Sequence, residues 1–586
     1  MTQDKPTITI KFLEQMLNDG LVNQDTFAKL RVKLRSLPQS SHPIQGIAPL
    51  KLKHATQKNI VLDDQYLSEW YALKCGMECV ELDPLKLDVD AITDVMSKAF
   101  AQRHKILAYA VNNNSVTIAT SEPYVTGWVN GLEHILRKEV KRVFASPVAI
   151  EKFQKEFYAL SHSIRGAKNE KYQETGVGNL EALIELGKAD EVDANDQHIV
   201  QIVDWLLQYA YAQRASDIHI EPRRETGNVR FRIDGVLHKV YEFPASVTGA
   251  VLARFKILAR MDVAERRKPL DGRIKTKTPE GQEVELRIST LPTAFGEKLV
   301  ARIFDPGVLN RDFSELGLDK NIEQQWLSMV SQPNGIVLVT GPTGSGKTTT
   351  LYTTLNQIAR PEVNVCTIED PIEMVNPNLN QMQVHHEIKV DFASGIRALL
   401  RQDPDIIMIG EIRDKETADM AVQASLTGHL VISTLHTNDA SSAITRLLDL
   451  GVEPFLVNAS ILGVMAQRLV RTLCKDCKQP AETDVNAWRH LVSPFPIKPP
   501  AKVFKPVGCR LCRGTGYLGR QGIYEMLSVN SKVKKLIHSH CDVGPIRDQG
   551  IKDGMSLLRI NGARKVAQGM TTIEEVLRVA SPEMEN

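Results

Sequence analysis

The stretch Gly341-Pro342-Thr343-Gly344-Ser345-Gly346-Lys347-Thr348 has residue types and spacing suited to holding a triphosphate. Glycines at this spacing let the backbone wrap an anion, because a Cβ would obstruct both the turn and the close approach. A helix that opens right after the loop points its free N–H groups at the same anion. The apolar run Ile336 to Val339 precedes the loop and the helix-like TTTLYTTLNQIAR follows it, so a strand–loop–helix unit is expected, not a bare glycine turn. In that unit Lys347 reaches the β and γ phosphates of ATP, and the Thr348 hydroxyl is the expected Mg²⁺ ligand. The phosphate-binding set runs from Gly341 to Thr349.

Hydrolysis also needs a group to orient and activate water. In α/β sheets such groups stand at neighbouring strand ends. Glu369 and Asp370 follow the apolar run VNVCTI, Glu411 follows DIIMIG, and His436 follows HLVISTL, with His429 at the start of that run. A lone carboxylate at a strand end is more often a helix cap or a surface charge. Three such groups after a phosphate loop point to catalysis. The residue before Glu411 is Gly410 and not a second acid, so metal contact rests on Thr348, phosphate oxygens and water, with Glu369 or Asp370 in support. Glu411 is the residue chosen to activate the attacking water.

A second kind of chemistry is written further on. Cys474-Lys-Asp-Cys477 and Cys509-Arg-Leu-Cys512 are two C-x-x-C knuckles separated by 31 residues. Four thiolates with no open position suit a structural, tetrahedral Zn²⁺. Two knuckles speak against a redox pair. Cys75, Cys79, Cys366 and Cys541 are scattered and read as inert thiols.

These residues must be positioned by several cores, since 586 residues exceed what one core organises. Residues 1–70 read as an N-terminal helical region, with Ile10, Leu13, Met16 and Leu17 at helical spacing, a stop at Gly20 and a second helix from about Asn23. Residues 71–160 read as a small α/β unit, and 161–195 as a polar linker with a helix in LEALIELG. Residues 196–312 form a further α/β unit, opened by a helix with Ile199, Ile202, Val203, Leu206 and Leu207 on one face. From 313 to 586 strands alternate with helices, as in a parallel sheet, with a zinc insert over 470–525. Hydrophobic residues at 42%, charged residues at 24% and a formal net charge of +2 describe a soluble globular chain without an overall nucleic-acid footprint. No run is long enough to span a bilayer and the N-terminus carries no signal-peptide pattern, so the expected place is the cytoplasm.

EDPIE (369–373), RQDPDIIMIGEIRD (401–414) and TGHLVISTLHTNDA (427–440) resemble the aspartate box, second Walker motif and histidine box of the motor ATPases of type II secretion and type IV pilus assembly. SDIHIEP (216–222), FRIDGV (231–236) and STLPTAFGEKLVARI (289–303) resemble the domain that precedes the motor in the same family. ASLTGHLV is closer to the secretion and mannose-sensitive pilus branches. The fold class this implies is α/β: a RecA-like P-loop ATPase core, a preceding PAS-like α/β domain, an N-terminal helical plus α/β domain and a zinc-binding insert.

The resemblance further implies a homohexamer with ATP between subunits, in which Arg287 and Arg302 reach the γ-phosphate. Arg397, Arg401 and Arg413 lie near the same motifs. It implies peripheral association with the inner membrane through a platform protein and a membrane-anchored adaptor that meets residues 1–158. Some relatives bind cyclic di-GMP at a front motif beginning Arg-Leu-Gly. Here the matching start is Lys11-Phe12-Leu13, without the arginine or the glycine, and the messenger is not expected. A nucleic-acid-translocating motor is the rival function. The charge balance and the lack of an aromatic-plus-basic signature speak against it. A nucleotide sensor without turnover is opposed by the presence of Lys347, Glu411 and His436 together.

Overall fold

The computed structural model describes residues 5–35, 41–57, 60–83, 87, 89–169, 196–278, 281, 283–304, 307, 311–509 and 511–580. The helix expected in LEALIELG lies outside the described residues. The chain forms two compact units, one of residues 1–282 and 286–303, the other of 283–285 and 304–586.

In the first unit, the helices Lys5–Asn18 and Gln24–Arg35 are separated by Gly20, whose φ of 70° a residue with a Cβ rarely adopts. Phe12, Leu13 and Met16 are buried with Tyr71 and Phe144, while Ile10 is exposed. The strands Ile106–Val111 and Ser115–Thr120 form a hairpin around the asparagine-rich turn, and Glu139–Phe144 joins it in parallel. The helix Pro147–Asn169 carries helical structure past residue 160, into the stretch read from its polarity as linker.

The helix Gln197–Ala212 buries the predicted Ile199, Ile202, Val203, Leu206 and Leu207 stripe. A six-stranded sheet follows in the order Val236–Pro244, Thr226–Ile233, Asp217–Pro222, Gly296–Phe304, Glu283–Thr293 and Leu270–Lys277. Alternation along Thr226–Ile233 sends Val229, Phe231 and Ile233 into the core, with Arg230 and Arg232 on the other face. The helix Ala245–Leu258 packs on the apolar face. Helix and sheet together make the α/β unit expected ahead of the motor.

The second unit is built on a seven-stranded sheet in the order Asn380–Gln383, Val365–Glu369, Ile406–Ile409, Leu430–Leu435, Gly335–Thr340, Ile461–Leu473 and Tyr517–Ser528. The first six run parallel and the last is antiparallel to its neighbour. The expected parallel sheet is thus closed by one antiparallel edge strand. It arises because Ile461–Leu473 and Tyr517–Ser528 are the two arms of a long hairpin whose connection holds the cysteines. Ile336, Leu338, Ile368, Ile407, Ile409 and Val431 face one core, and Val337, Val339, Val365, Met408 and Ile432 face the other. Burial on both faces explains why these strands read as unbroken apolar runs.

Candidate functional site

The strand Gly335–Thr340 lies third from the hairpin edge, and its C-terminal end feeds the loop 341–346 and the helix Lys347–Ile358. Gly341, Gly344 and Gly346 have φ of 153°, 80° and 89°. At Gly341 a Cβ would stand 2.6 Å from both the Gln467 carbonyl oxygen and Ser345 Oγ. The glycines are therefore required by backbone conformation and by space. Pro342, Thr343 and Gly344 are exposed at the crest, Ser345 and Lys347 are buried, Thr348 is exposed and Thr349 half-buried. Lys347 Nζ donates to the carbonyls of Gly341 (2.8 Å) and Pro342 (3.2 Å). Burial, with help from the Arg468 charge, brings the Lys347 ammonium down to about 8, and the Glu411 carboxylate works in the opposite sense.

Glu411 follows the strand Ile406–Ile409 and is largely buried. Arg413 Nη2 donates to its Oε1, and His436 Nε2 stands 3.4 Å from its Oε2. Burial and the Lys347 charge hold the His436 imidazole below its usual range, against the pull of Glu411. The turn carrying His436 is fixed by its neighbour Thr437, whose N–H donates to Thr340 Oγ1 at 2.9 Å. The carboxylate, the histidine and the phosphate loop thus share one sheet end. His429 stands at the other end of the strand Leu430–Leu435, within 2.8 Å of the Ala424 carbonyl oxygen.

Glu369 ends the strand Val365–Glu369 and is buried. Its Oε1 accepts from Thr367 Oγ1 (2.7 Å) and Gln381 Nε2 (3.2 Å), and its Oε2 from the Tyr352 hydroxyl (2.7 Å). Both oxygens are engaged, and Tyr352 belongs to the helix that follows the phosphate loop. Asp370 is half-buried, with Oδ2 3.4 Å from the exposed His386 Nε2. Of the other arginines, Arg397 pairs with Glu416, and Arg401 donates to the Arg397 carbonyl.

Arg287 and Arg302 lie in the first unit on the polar face of the six-stranded sheet. Arg302 Nε donates to Asp217 Oδ1 at 3.0 Å and half of its side chain is exposed. Arg287 stands 4.0 Å from Asp271.

The reading of residue types missed Gln467 and Arg468, both buried against the phosphate loop. Their signal was present: a Gln-Arg pair interrupts the apolar run of the strand Ile461–Leu473.

Where the hairpin arms Ile461–Leu473 and Tyr517–Ser528 run on beyond the phosphate loop, the four Sγ atoms of Cys474, Cys477, Cys509 and Cys512 lie within 4.8 Å of one another. Three Sγ pairs, 474–509, 477–512 and 509–512, stand at 3.7 Å. A tetrahedron with Zn–S bonds of about 2.3 Å has edges of about 3.8 Å, so the cluster fits zinc. The N–H groups of Cys509 and Gly516 point at Cys512 Sγ, at 3.1 and 3.2 Å, as they would at a thiolate.

A doubly covered sheet, a glycine loop ending on Lys347 and a carboxylate–histidine pair at the adjacent strand ends define a RecA-like P-loop ATP hydrolase. The family of type II/IV secretion system proteins matches residues 192–578, and the MshEN domain matches residues 75–164. The chain belongs to the type II/IV secretion system protein family. It is 53% identical to the type IV pilus assembly ATPase TfpB of Acinetobacter baylyi, over 97% of each chain. It is 39% identical to the type IV pilus assembly ATPase PilB of Myxococcus xanthus, over 90% of this chain and 93% of that one. The type II secretion system ATPase E of Vibrio cholerae is 45% identical over 66% of this chain and 76% of its own length. Among the described residues no helix is long and apolar enough to cross a membrane.

Proposed function

We propose that this chain is the assembly motor of a type IV pilus, a homohexamer that hydrolyses Mg-ATP at the cytoplasmic face of the inner membrane. The observation that carries the reading is the Glu411–His436 pair beside the Lys347 loop. In-line attack on a γ-phosphate needs a carboxylate to orient water and a cation to take up charge, and both stand at one sheet end. Thr348, exposed in the first turn of the following helix, offers the hydroxyl for Mg²⁺. Glu369 acts as a positioning residue, tying its strand to the Tyr352 helix. Zinc on the four cysteines supplies a rigid cross-link for the hairpin end and takes no part in hydrolysis.

Pilus assembly is favoured over secretion because the pilus ATPases match along nearly the whole chain, front region included, whereas the secretion ATPase matches two thirds of it. Arg287 and Arg302 would act on the nucleotide of a neighbouring subunit. A planar guanidinium that meets γ-phosphate only in a closed interface couples subunit motion to hydrolysis. The front region docks on a membrane-anchored adaptor, and the motor engages the platform protein. Cyclic di-GMP and nucleic acid have no part in the proposal.

The test is Glu411→Gln in the cell and in the purified protein. Loss of surface pili, with ATP still bound and no longer turned over, is expected. Intact piliation with full turnover would sink the assignment, and a large stimulation of turnover by DNA would favour the nucleic-acid motor.

A further inference from the structure

The strand Ile461–Leu473 pairs in parallel with the phosphate strand as far as Thr340↔Ala466. The next two residues, Gln467 and Arg468, therefore run beside the phosphate loop itself. They are 2% and 8% exposed, unusual for such polar side chains in a strand that is otherwise mostly apolar. Burial of this kind requires partners, and both residues have them.

Gln467 Oε1 accepts from Thr350 Oγ1 at 2.8 Å, in the first turn of the helix that begins at Lys347. Its Nε2 lies 2.8 Å from where a Cβ of Gly346 would stand, and its carbonyl oxygen lies 2.6 Å from the same point at Gly341. One residue thus touches the loop at both of its ends. Arg468 Nη1 donates to the Gln467 carbonyl at 3.0 Å, and Nη2 donates to the Asn438 carbonyl at 2.7 Å. Asn438 is two residues beyond His436. The guanidinium is a rigid fork with one prong on the phosphate-loop side and the other on the histidine turn. Burial works against the guanidinium charge, and the nearby Glu525 and Asp439 carboxyl groups offset part of that cost.

We propose that Gln467 and Arg468 are a positioning pair that locks the phosphate loop and the His436 turn in one register, so that the group gripping phosphate and the groups readying water keep their separation during turnover. This rests on the reading of Glu411 and His436 as the water-activating side. Neither residue of the pair need touch nucleotide. Displacing a reacting group by about an ångström costs on the order of 100-fold in rate, which sets the scale of the effect.

The experiment uses the full chain with the variants Arg468→Met, Arg468→Lys, Gln467→Met and, as reference, Glu411→Gln. Steady-state kcat and KM for ATP, affinity for a fluorescent ADP analogue and the thermal midpoint are measured on each. Arg468→Met should lower kcat about 100-fold while KM and analogue affinity stay within about threefold. Arg468→Lys should recover about tenfold of that loss, since an ammonium reaches one of the two carbonyls. Gln467→Met should lower kcat about tenfold by the same geometric route. Should Arg468→Met fail to fold, Gln467→Met decides. Wild-type kcat in the variant that decides overturns the inference. So does a loss of analogue affinity in step with kcat, which would mark the pair as plain scaffolding of the loop. An inactive Glu411→Gln beside fully active Arg468→Met and Gln467→Met defeats only this inference, while an active Glu411→Gln defeats the functional reading beneath it.

Discussion

His436 Nε2 stands 3.4 Å from Glu411 Oε2, joining the ends of two strands that are hydrogen-bonded neighbours in the sheet. The contact ties the acid and the imidazole into one unit, with the Lys347 charge acting on both. Replacing Glu411 by glutamine keeps the shape and removes the carboxylate proposed as the base. We expect kcat to fall by about 100-fold or more with ATP affinity retained, measured by single-turnover hydrolysis and by nucleotide binding.

The same charges set a pH window. His436 is held below the ordinary imidazole value of 6.5, so it stays neutral further into acid and becomes charged only below that value. Lys347 loses its proton near pH 8, where its grip on phosphate weakens. The profile of kcat/KM, which reports the free enzyme, should therefore be a bell with its acid limb below pH 6.5 and its basic limb near pH 8. His436→Gln should flatten the acid limb and leave the basic limb in place.

Gly341 offers a sharper test of the loop. With φ at 153° and the Gln467 carbonyl oxygen 2.6 Å from any Cβ, alanine can be accommodated only by moving backbone. Gly341→Ala should abolish detectable binding of an adenine nucleotide, read by isothermal titration. The thermal midpoint of the remaining fold should change by only a few degrees.

How much of this was legible beforehand follows from what each feature demands of the chain. The phosphate loop was legible because positive φ and close approach leave glycine as the only comfortable residue, so geometry is written directly into residue type. The strands at 335–340, 406–409 and 430–435 were legible because burial on both faces leaves no solvent-facing position, so apolar residues dominate and the few polar ones are the small Thr340, Ser433 and Thr434. The cysteine cluster was legible because two knuckles suffice to specify a tetrahedron. Arg468 was not, since its partner Asn438 is 30 residues away and an arginine inside a strand reads as an edge charge. The antiparallel Tyr517–Ser528 strand was hidden by the cysteine-bearing connection, which separates two arms that pair along most of their length. Glu369 was legible as a strand-end carboxylate, whereas its three donors come from a neighbouring position, the next strand and the Tyr352 helix, which spacing alone does not reveal.

Glu575 illustrates a stability effect of opposite origin to catalysis. Its side chain is buried, which alone would raise its pKa, yet hydrogen bonds from Arg471 and Arg578 bring it down to about 2. A depressed carboxylate stabilises the fold above the unfolded value of about 4.5, and that contribution is lost as pH falls from there toward 2. Glu575→Gln should destabilise the second unit by about 2 kcal/mol at neutral pH. That is below the 3–5 kcal/mol of a fully buried pair, because more than half of the Arg578 side chain is exposed. The difference from wild type, read as the urea midpoint, should shrink as pH falls from 4.5 toward 2.

Stripping metal tests the four cysteines apart from the nucleotide. The Sγ separations of 3.7 Å are those of a closed tetrahedral site. One equivalent of zinc should therefore be released by a thiol-reactive agent and detected with a chromogenic chelator. Cys512→Ser should lower zinc content and the thermal midpoint while leaving the KM for ATP within about twofold, because the knuckles lie on the hairpin connection and not at the phosphate loop. A rise in KM matching the zinc loss would mean the insert reaches the nucleotide.

Arg302 decides whether the site is shared between subunits. It is half exposed, and its partner Asp217 is buried but also meets Arg232 at 3.6 Å and accepts from Ser216 Oγ at 2.8 Å, so Arg302 can turn toward an incoming anion without leaving that carboxylate unpartnered. Arg302→Ala should lower kcat by about 100- to 1,000-fold with ATP still bound, the scale of losing one donor aimed at developing charge. Such a loss alone does not tell a neighbour's arginine from one in the same chain. Mixing does. An Arg302→Ala subunit keeps Glu411, and a Glu411→Gln subunit keeps Arg302. Where the first offers its phosphate loop to the second across an interface, every required group is present. In rings reassembled from equal amounts, about a quarter of interfaces regain that arrangement, and activity should reappear from two inactive proteins. If Arg302 serves its own chain, every site in the mixture lacks one group and the mixture stays as inactive as its components.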